Sequence, residues 1–216
     1  MPLKIVAIVV SRRLSNRAVI KFSDNSFLPL DLVAIHHLSL KKNQEINRQK
    51  FREITTASIE FLLKNYALRQ IAISAKTEKM LSQKLQLFLG QTLKKYHLSS
   101  HPDHQTIIPE TLSYIKNRGL LRPQEFVDYI LRKHQNKSFF YIQSLLRQKG
   151  VDPLLIPSPP PHQEVEKIKR ILDKKHFKNK DFTDYNTKNK IVDSLARQGF
   201  SYSDIKVAID DSTNLS

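Results

Sequence analysis

The period of the apolar positions changes about thirty residues into the chain. Over 4–10 and 18–22 β-branched side chains dominate (Ile5, Val6, Ile8, Val9 and Val10, then Val19 and Ile20), and the polar stretches 14–17 and 23–26 can turn. This predicts a small β hairpin with 27–30 as a third strand. Residues 31–37 read as a short helix, and Lys41-Lys42-Asn43-Gln44 as a polar turn in which Asn43 takes a left-handed backbone. From 47 to 73 the spacing becomes helical, with Phe51, Ile54, Ala57, Ile59, Leu62, Leu63, Tyr66 and Ile71 recurring among basic residues. A second helix follows Thr77 with Leu81, Leu85, Phe88 and Leu89 along it, and further amphipathic stretches cover 109–118, 123–135, 138–149, 163–175, 185–198 and 202–210.

The chain has four glycines, and Gly119, Gly150 and Gly199 each follow an amphipathic stretch and precede an apolar residue. That is the pattern of a helix stop in which Leu120, Val151 or Phe200 folds back onto the last turn. At Gly90 the helical spacing continues through Thr92, Leu93 and Tyr96. Two stops share more than the glycine. Leu145-Leu146-Arg147-Gln148-Lys149-Gly150-Val151-Asp152 and Ser194-Leu195-Ala196-Arg197-Gln198-Gly199-Phe200-Ser201 share a leucine, an Arg–Gln pair, the glycine, an apolar residue and a helix N-cap, which reads as an internal repeat. Ser201 with Asp204 resembles a capping box. Pro157-Ser158-Pro159-Pro160-Pro161 predicts a non-helical, semi-rigid spacer. The expected organisation is a mainly α chain: a β extension at 1–46, three-helix repeats at 47–120, 121–156 and 163–216, and a spacer at 157–162, together forming an elongated, curved body.

Composition adds the partner class. Thirty-six Lys and Arg against 20 Asp and Glu give 216 residues a formal charge of +16, a field that attracts polyanions, with nucleic acid foremost. With 40% hydrophobic residues the chain can build a core, and with no cysteine it does so without disulfides, thiolate catalysis or cysteine-held zinc. No run approaches the roughly 18 to 20 apolar residues of a membrane span, and no signal-peptide cleavage pattern follows Val10, so a cytoplasmic protein without membrane contact is expected.

The search for catalytic motifs is negative. There is no Gly-rich phosphate loop, no Gly-x-Ser-x-Gly elbow and no His-Glu-x-x-His. His97, His101 and His104 fall in a polar insert and read as exposed loop histidines, since zinc needs a fourth ligand or an ordered water. Asp103 with Glu110, and Asp181 with Asp184, read as turn and helix-cap residues. A protein that binds, with no enzymatic activity, no cofactor and no metal, is expected.

The segment from Gly119-Leu120-Leu121-Arg122-Pro123 through Phe126-Val127-Asp128-Tyr129-Ile130, continuing to Leu145-Leu146-Arg147-Gln148-Lys149-Gly150-Val151, resembles the RecX family, regulators of the recombinase RecA built from tandem three-helix repeats. Lys76-Thr77-Glu78-Lys79 with Leu81 and Leu85 is similar to the second helix of the first repeat, and Leu195-Ala196-Arg197-Gln198-Gly199-Phe200-Ser201-Tyr202 with Ile205 to the end of the third. The resemblance covers roughly residues 50–210, and the N-terminal strands look like the β extension that some members carry. It implies binding along the groove of the RecA filament on single-stranded DNA. It also implies restraint of ATP hydrolysis, strand exchange and filament growth in recombination, DNA repair and the SOS response.

Arg118, Arg122, Arg132, Lys133, Arg147, Lys149 and Arg197 are the residues expected to meet acidic recombinase surface and DNA phosphates. Single-stranded DNA is the expected nucleic-acid partner, with double-stranded DNA behind it, and a monomer is expected. A different reading is a direct DNA binder with helix-turn-helix-like units, an architectural or transcriptional factor. Such a factor would read bases with Arg, Asn and Gln concentrated at the start of a recognition helix. A nucleic-acid hydrolase would need converging carboxylates or histidines, which no motif supplies.

Overall fold

The computed structural model describes residues 2–11, 16–99, 101, 103–158, 163–174 and 184–213. The chain parts into two compact units, 1–122 and 123–216. The first begins with strands β1 (Leu3–Val10), β2 (Arg17–Phe22) and β3 (Phe27–Asp31), helix α1 (Leu32–His37) and the two-residue strand β4 (Glu45–Ile46). The expected hairpin is thus the centre of a four-stranded antiparallel sheet in the order β3-β2-β1-β4. β4 escapes the sequence reading because two residues carry no period. Asn43 (φ 64°) aims the chain back, the Asn43 amide donates to the Ile5 carbonyl, and Lys4 pairs with Glu45 at 3.0 Å. Pro29 lies on the edge strand β3, the place where a missing N–H is tolerated.

Helix α2 (Arg48–Ile73) has no glycine or proline over 26 residues, and Asn47 caps it by accepting from the Lys50 amide at 2.7 Å. Two of its faces are buried. Near its start Phe51 meets Phe22 edge-on at 5.6 Å, Ile54 joins the sheet core, and the buried Ser58 hydroxyl donates to the Pro29 carbonyl. Further on, Ile59, Leu63 and Ala67 pack with α3 (Glu78–Lys95) and α4 (Asp103–Asn117) through Leu81, Leu85, Ile107, Leu112 and Ile115. α4 starts at Asp103, six residues before the predicted helix at 109, so Pro109 sits inside it. His104 is consequently a buried helical residue rather than an exposed loop histidine. α3 runs through Gly90, as its spacing implied.

The second unit holds α5 (Pro123–Lys133), α6 (Phe139–Gln148), a 3₁₀ turn at Pro153–Leu155, α7 (Gln163–Leu172), α8 (Tyr185–Ala196) and α9 (Tyr202–Thr213). Asp152 caps that turn, its carboxylate accepting from the Leu154 amide, and among the described residues no full helix follows before α7. α7, α8 and α9 enclose their own core of Ile168, Ile171, Leu172, Ile191, Leu195, Phe200, Ile205 and Ile209. Asp184 caps α8, and the Ser201 hydroxyl accepts from the Asp204 amide while donating to its carboxylate. All three glycine stops form: Gly119, Gly150 and Gly199 have positive φ, and the Leu120, Val151 and Phe200 amides donate to the carbonyls of buried Ile115, Leu146 and Leu195. Most of the proline-rich spacer, Asp181 and the turn at 14–15 lie outside the described residues. Within this frame we propose the three-repeat division drawn from the sequence.

Candidate polyanion-binding surface

The loop between α5 and α6 is where the second unit is tied together. Ser138 caps α6 by accepting from the Tyr141 amide at 3.0 Å, and its own amide donates to the Gln198 carbonyl at the end of α8. The Phe139 amide donates to Glu164 of α7 at 2.8 Å. The Lys167 ammonium donates to the Lys137 carbonyl and sits 4.1 Å from the Phe139 ring centre, and Lys174 donates to the Asn136 side chain. Around this junction stand Lys133, 5.5 Å from the Tyr129 ring, and Lys137, 5.4 Å from the Tyr141 ring.

The local field registers in the titrating groups. His134, beside Tyr141, is held below its ordinary value of 6.5, first by burial and then by Lys133 and Lys137. Lys167 is likewise lowered, mainly by burial, with Glu164 opposing and Arg170 adding.

Of the seven basic residues singled out from the sequence, most stand at helix C-termini. Arg132 and Lys133 are in the last turn of α5, Arg147 in that of α6, Lys149 is the C-cap of α6 and Arg197 that of α8. Cations there interact favourably with the helix dipole, worth about 0.3–1 kcal/mol each at exposed positions, so their placement has a structural cause apart from any ligand. Arg118 follows α4 and lies 4.4 Å over the Tyr114 ring. Arg122 ends the first unit, exposed, and has an interaction partner. Among the described residues no carboxylate lies within salt-bridge distance of Arg118, Arg132, Lys133, Arg147 or Arg197.

The structure brings Lys133 to the junction, and the link from Gln198 to Ser138 places the end of α8, with Arg197, at the start of α6. Arg147 and Lys149 stand at the other end of α6, about 15 Å away for a ten-residue helix. Lys137, Lys167 and Lys174 were missed. Lys137 belongs to the basic run 132–137, but the α7 lysines reach it only through tertiary packing. Among the described residues no group of three His, Asp or Glu is arranged to hold a metal, and no helix is long and apolar enough to cross a membrane.

Residues 162–209, spanning α7, α8 and most of α9, match the family model of the RecX third three-helix domain. The chain is similar to RecX proteins over most of its length. It is 26% identical over 185 residues to the Regulatory protein RecX of Streptococcus mutans (82% of this chain, 66% of that protein). To that of Streptococcus pneumoniae strain CGSP14 it is 24% identical over 178 residues (80% and 64%). The matches thus span slightly under two thirds of these RecX relatives' own length. A crystal structure of a regulatory protein RecX superposes with a TM-score of 0.61 at 19% identity, over 96% of this chain and 99% of that one. RecX from Lactobacillus salivarius gives 0.52 at 22%, over 72% and 97%. These two likenesses establish the fold.

Proposed function

We propose that this chain is a regulator that binds the RecA filament on single-stranded DNA and restrains its ATP hydrolysis, strand exchange and growth. The observation that carries the reading is the RecX third-domain match at 162–209, whose helices pack against the basic α5–α6 junction. The seven cations read from the sequence, joined by Lys137, are the proposed contacts to DNA phosphate and acidic recombinase surface. A protein acting in this way needs no catalytic group of its own, and its work is done by binding energy.

The deciding experiment is capture of the native partner from cell extract with and without nuclease, followed by the ATPase of RecA filaments with the protein added. A recombinase retained on intact DNA, and a fall in filament ATPase as protein is titrated in, are the expected results. Retention of bare DNA with no recombinase and no effect on the ATPase would instead mark a direct DNA binder.

A further inference from the structure

The sheet of the first unit has one edge that its own strands cover only in part. β4 pairs with β1 at Leu3 and Lys4, and the turn before it adds Ile5, whose amide donates to the Gln44 carbonyl while its carbonyl accepts from the Asn43 amide. Beyond Ile5, β2 occupies one side of β1 through Ala7↔Lys21, Ile8↔Ile20, Val9↔Val19 and Val10↔Ala18. Among the described residues no strand pairs with that stretch on the other side. The Ser11 amide donates to the Arg17 carbonyl, so Ser11, Val9 and Ala7 turn their backbone groups to β2. The alternation of an antiparallel ladder then turns the N–H and C=O of Ile8 and Val10 to the open edge. The register shift between Ile5 and Ala7 resets that alternation, which is why Ile5 and Ile8 share an edge. Among the described residues nothing bonds the Ile8 or Val10 backbone there.

Sheets commonly guard such edges with lysine, proline or a covering element. From Ile5 to Ser11 there is neither charge nor proline, and Val6, Val9 and Val10 are each about half exposed. An open apolar edge is a template for an added strand, in which main-chain hydrogen bonds supply affinity and alternate side chains supply specificity. Charge decides whose strand it takes. Residues 1–23 carry five Lys and Arg and no Asp or Glu. The acids nearest the sheet are engaged: Glu45 by Lys4 at 3.0 Å, Asp24 by the Ser26 hydroxyl at 2.6 Å and Asp31 by the Ala34 amide at 2.6 Å. Lys21 is exposed, and among the described residues no carboxylate lies within salt-bridge distance of it. Its neighbours Ile20 and Phe22 are buried, so Lys21 lies on the opposite face of the sheet, across from Ala7. A strand added to β1 would run two strand spacings, about 9.6 Å, from β2, and with only the methyl group of Ala7 between them Lys21 meets an acidic side chain on it. A second copy of this chain fits poorly. Each copy brings a formal charge of +16, and residues 6–10 fall far short of the roughly 20–30 residues a side of a stable interface.

We propose that the free edge of β1 takes up an extended segment of a partner protein, with apolar side chains over Ile8 and Val10 and acidic ones on the face of Lys21. The site is independent of the α5–α6 junction.

The test follows the backbone amides of the full chain by NMR and hydrogen exchange as two short synthetic peptides are added, one alternating valine with glutamate and the other valine with lysine. The peptide with glutamate should protect the Ile8 and Val10 amides and bind at least about tenfold more tightly than the peptide with lysine. Val10→Pro removes an edge donor that the β2 ladder does not use, and should abolish the protection at Ile8 while the remaining amide spectrum is kept. Lys21→Glu, at an exposed position, should reverse the preference between the peptides. A Lys133→Glu, Lys137→Glu variant should bind the peptide with glutamate as the wild type does. Protection by neither peptide, equal affinity for both, or an unreversed preference in Lys21→Glu would overturn the proposal. Amides of Ile8 and Val10 already protected without peptide would overturn it too, marking an edge covered by the chain itself, or by a second copy where the protection grows with protein concentration.

Discussion

Gly199 joins two constraints at one atom. Its φ of 91° strains any L residue, and an added Cβ would fall 2.6 Å from Ser138 Oγ and 2.9 Å from Tyr141 Cβ. Gly119 has positive φ but open space around it, and Gly90 lies mid-helix in open space. The expected order follows: Gly119→Ala costs about 1 kcal/mol, Gly199→Ala more than about 2, and Gly90→Ala stabilises by about 0.5–1, each read from denaturant unfolding. Ser39, with φ 50°, occupies the C′ position after α1, where the Leu40 amide donates to Ile35. Ser39→Gly should therefore raise stability by a few tenths of a kcal/mol, relief of strain outweighing the entropy of glycine. His134 sets a pH dependence. Its folded value lies below 6.5, so the unfolded chain binds the proton first, and stability should fall as pH drops from 6.5 towards the folded value. A His134→Gln variant should lose that slope in unfolding midpoints measured across the same window.

Helix starts and stops were the most legible elements, because caps are local chemistry. Asn47, Thr77, Ser138 and Asp184 accept from amides three residues on, and the glycines end helices at 119, 150 and 199. The start of α4 was misplaced because proline reads as a first-turn residue, whereas here Ile107 and Ile108 bury the turn before it. Buried Lys76 was also opaque as a structural group. Its ammonium donates to the Gln70 and Ser74 carbonyls at the end of α2, a use of lysine that no local pattern signals. The join of α6 to the α8–α9 turn is a further tertiary fact, and it makes a prediction. Ser138→Ala should cost about 1 kcal/mol as a lost cap. In that background Gly199→Ala should cost less than in the wild type, since the clashing Oγ is gone, and a double-mutant cycle on unfolding free energies measures the coupling. Strict additivity would mean that the two residues do not press on one another.

At the scale of the whole molecule, charge was legible and its arrangement was not. The excess of 16 positive charges pointed to a polyanion, and the best-matched family segment pointed to Arg122, Arg147 and Lys149. Folding instead gathers Lys133, Lys137, Lys167 and Lys174 at one junction with Arg197 beside it, while α6 holds Arg147 and Lys149 away from it. The two ends of α6 therefore make separable contributions. If phosphate contacts at the junction bind single-stranded DNA, the log of affinity falls with the log of salt by about 0.7 per contact, and each cation removed there flattens the slope. Lys133→Glu with Lys137→Glu should weaken binding to DNA and to RecA filaments and flatten the salt slope. Arg147→Glu should change both less. Exposed charges contribute little to stability, so both variants should melt near the wild-type temperature. His134 serves as an internal reporter. An anion docked beside Lys133 and Lys137 offsets their field, and the histidine's titration by NMR should move upward on adding DNA. An unmoved His134, with DNA affinity unaltered in the Lys133→Glu, Lys137→Glu variant, would remove the junction from the binding surface and return the search to the far end of α6.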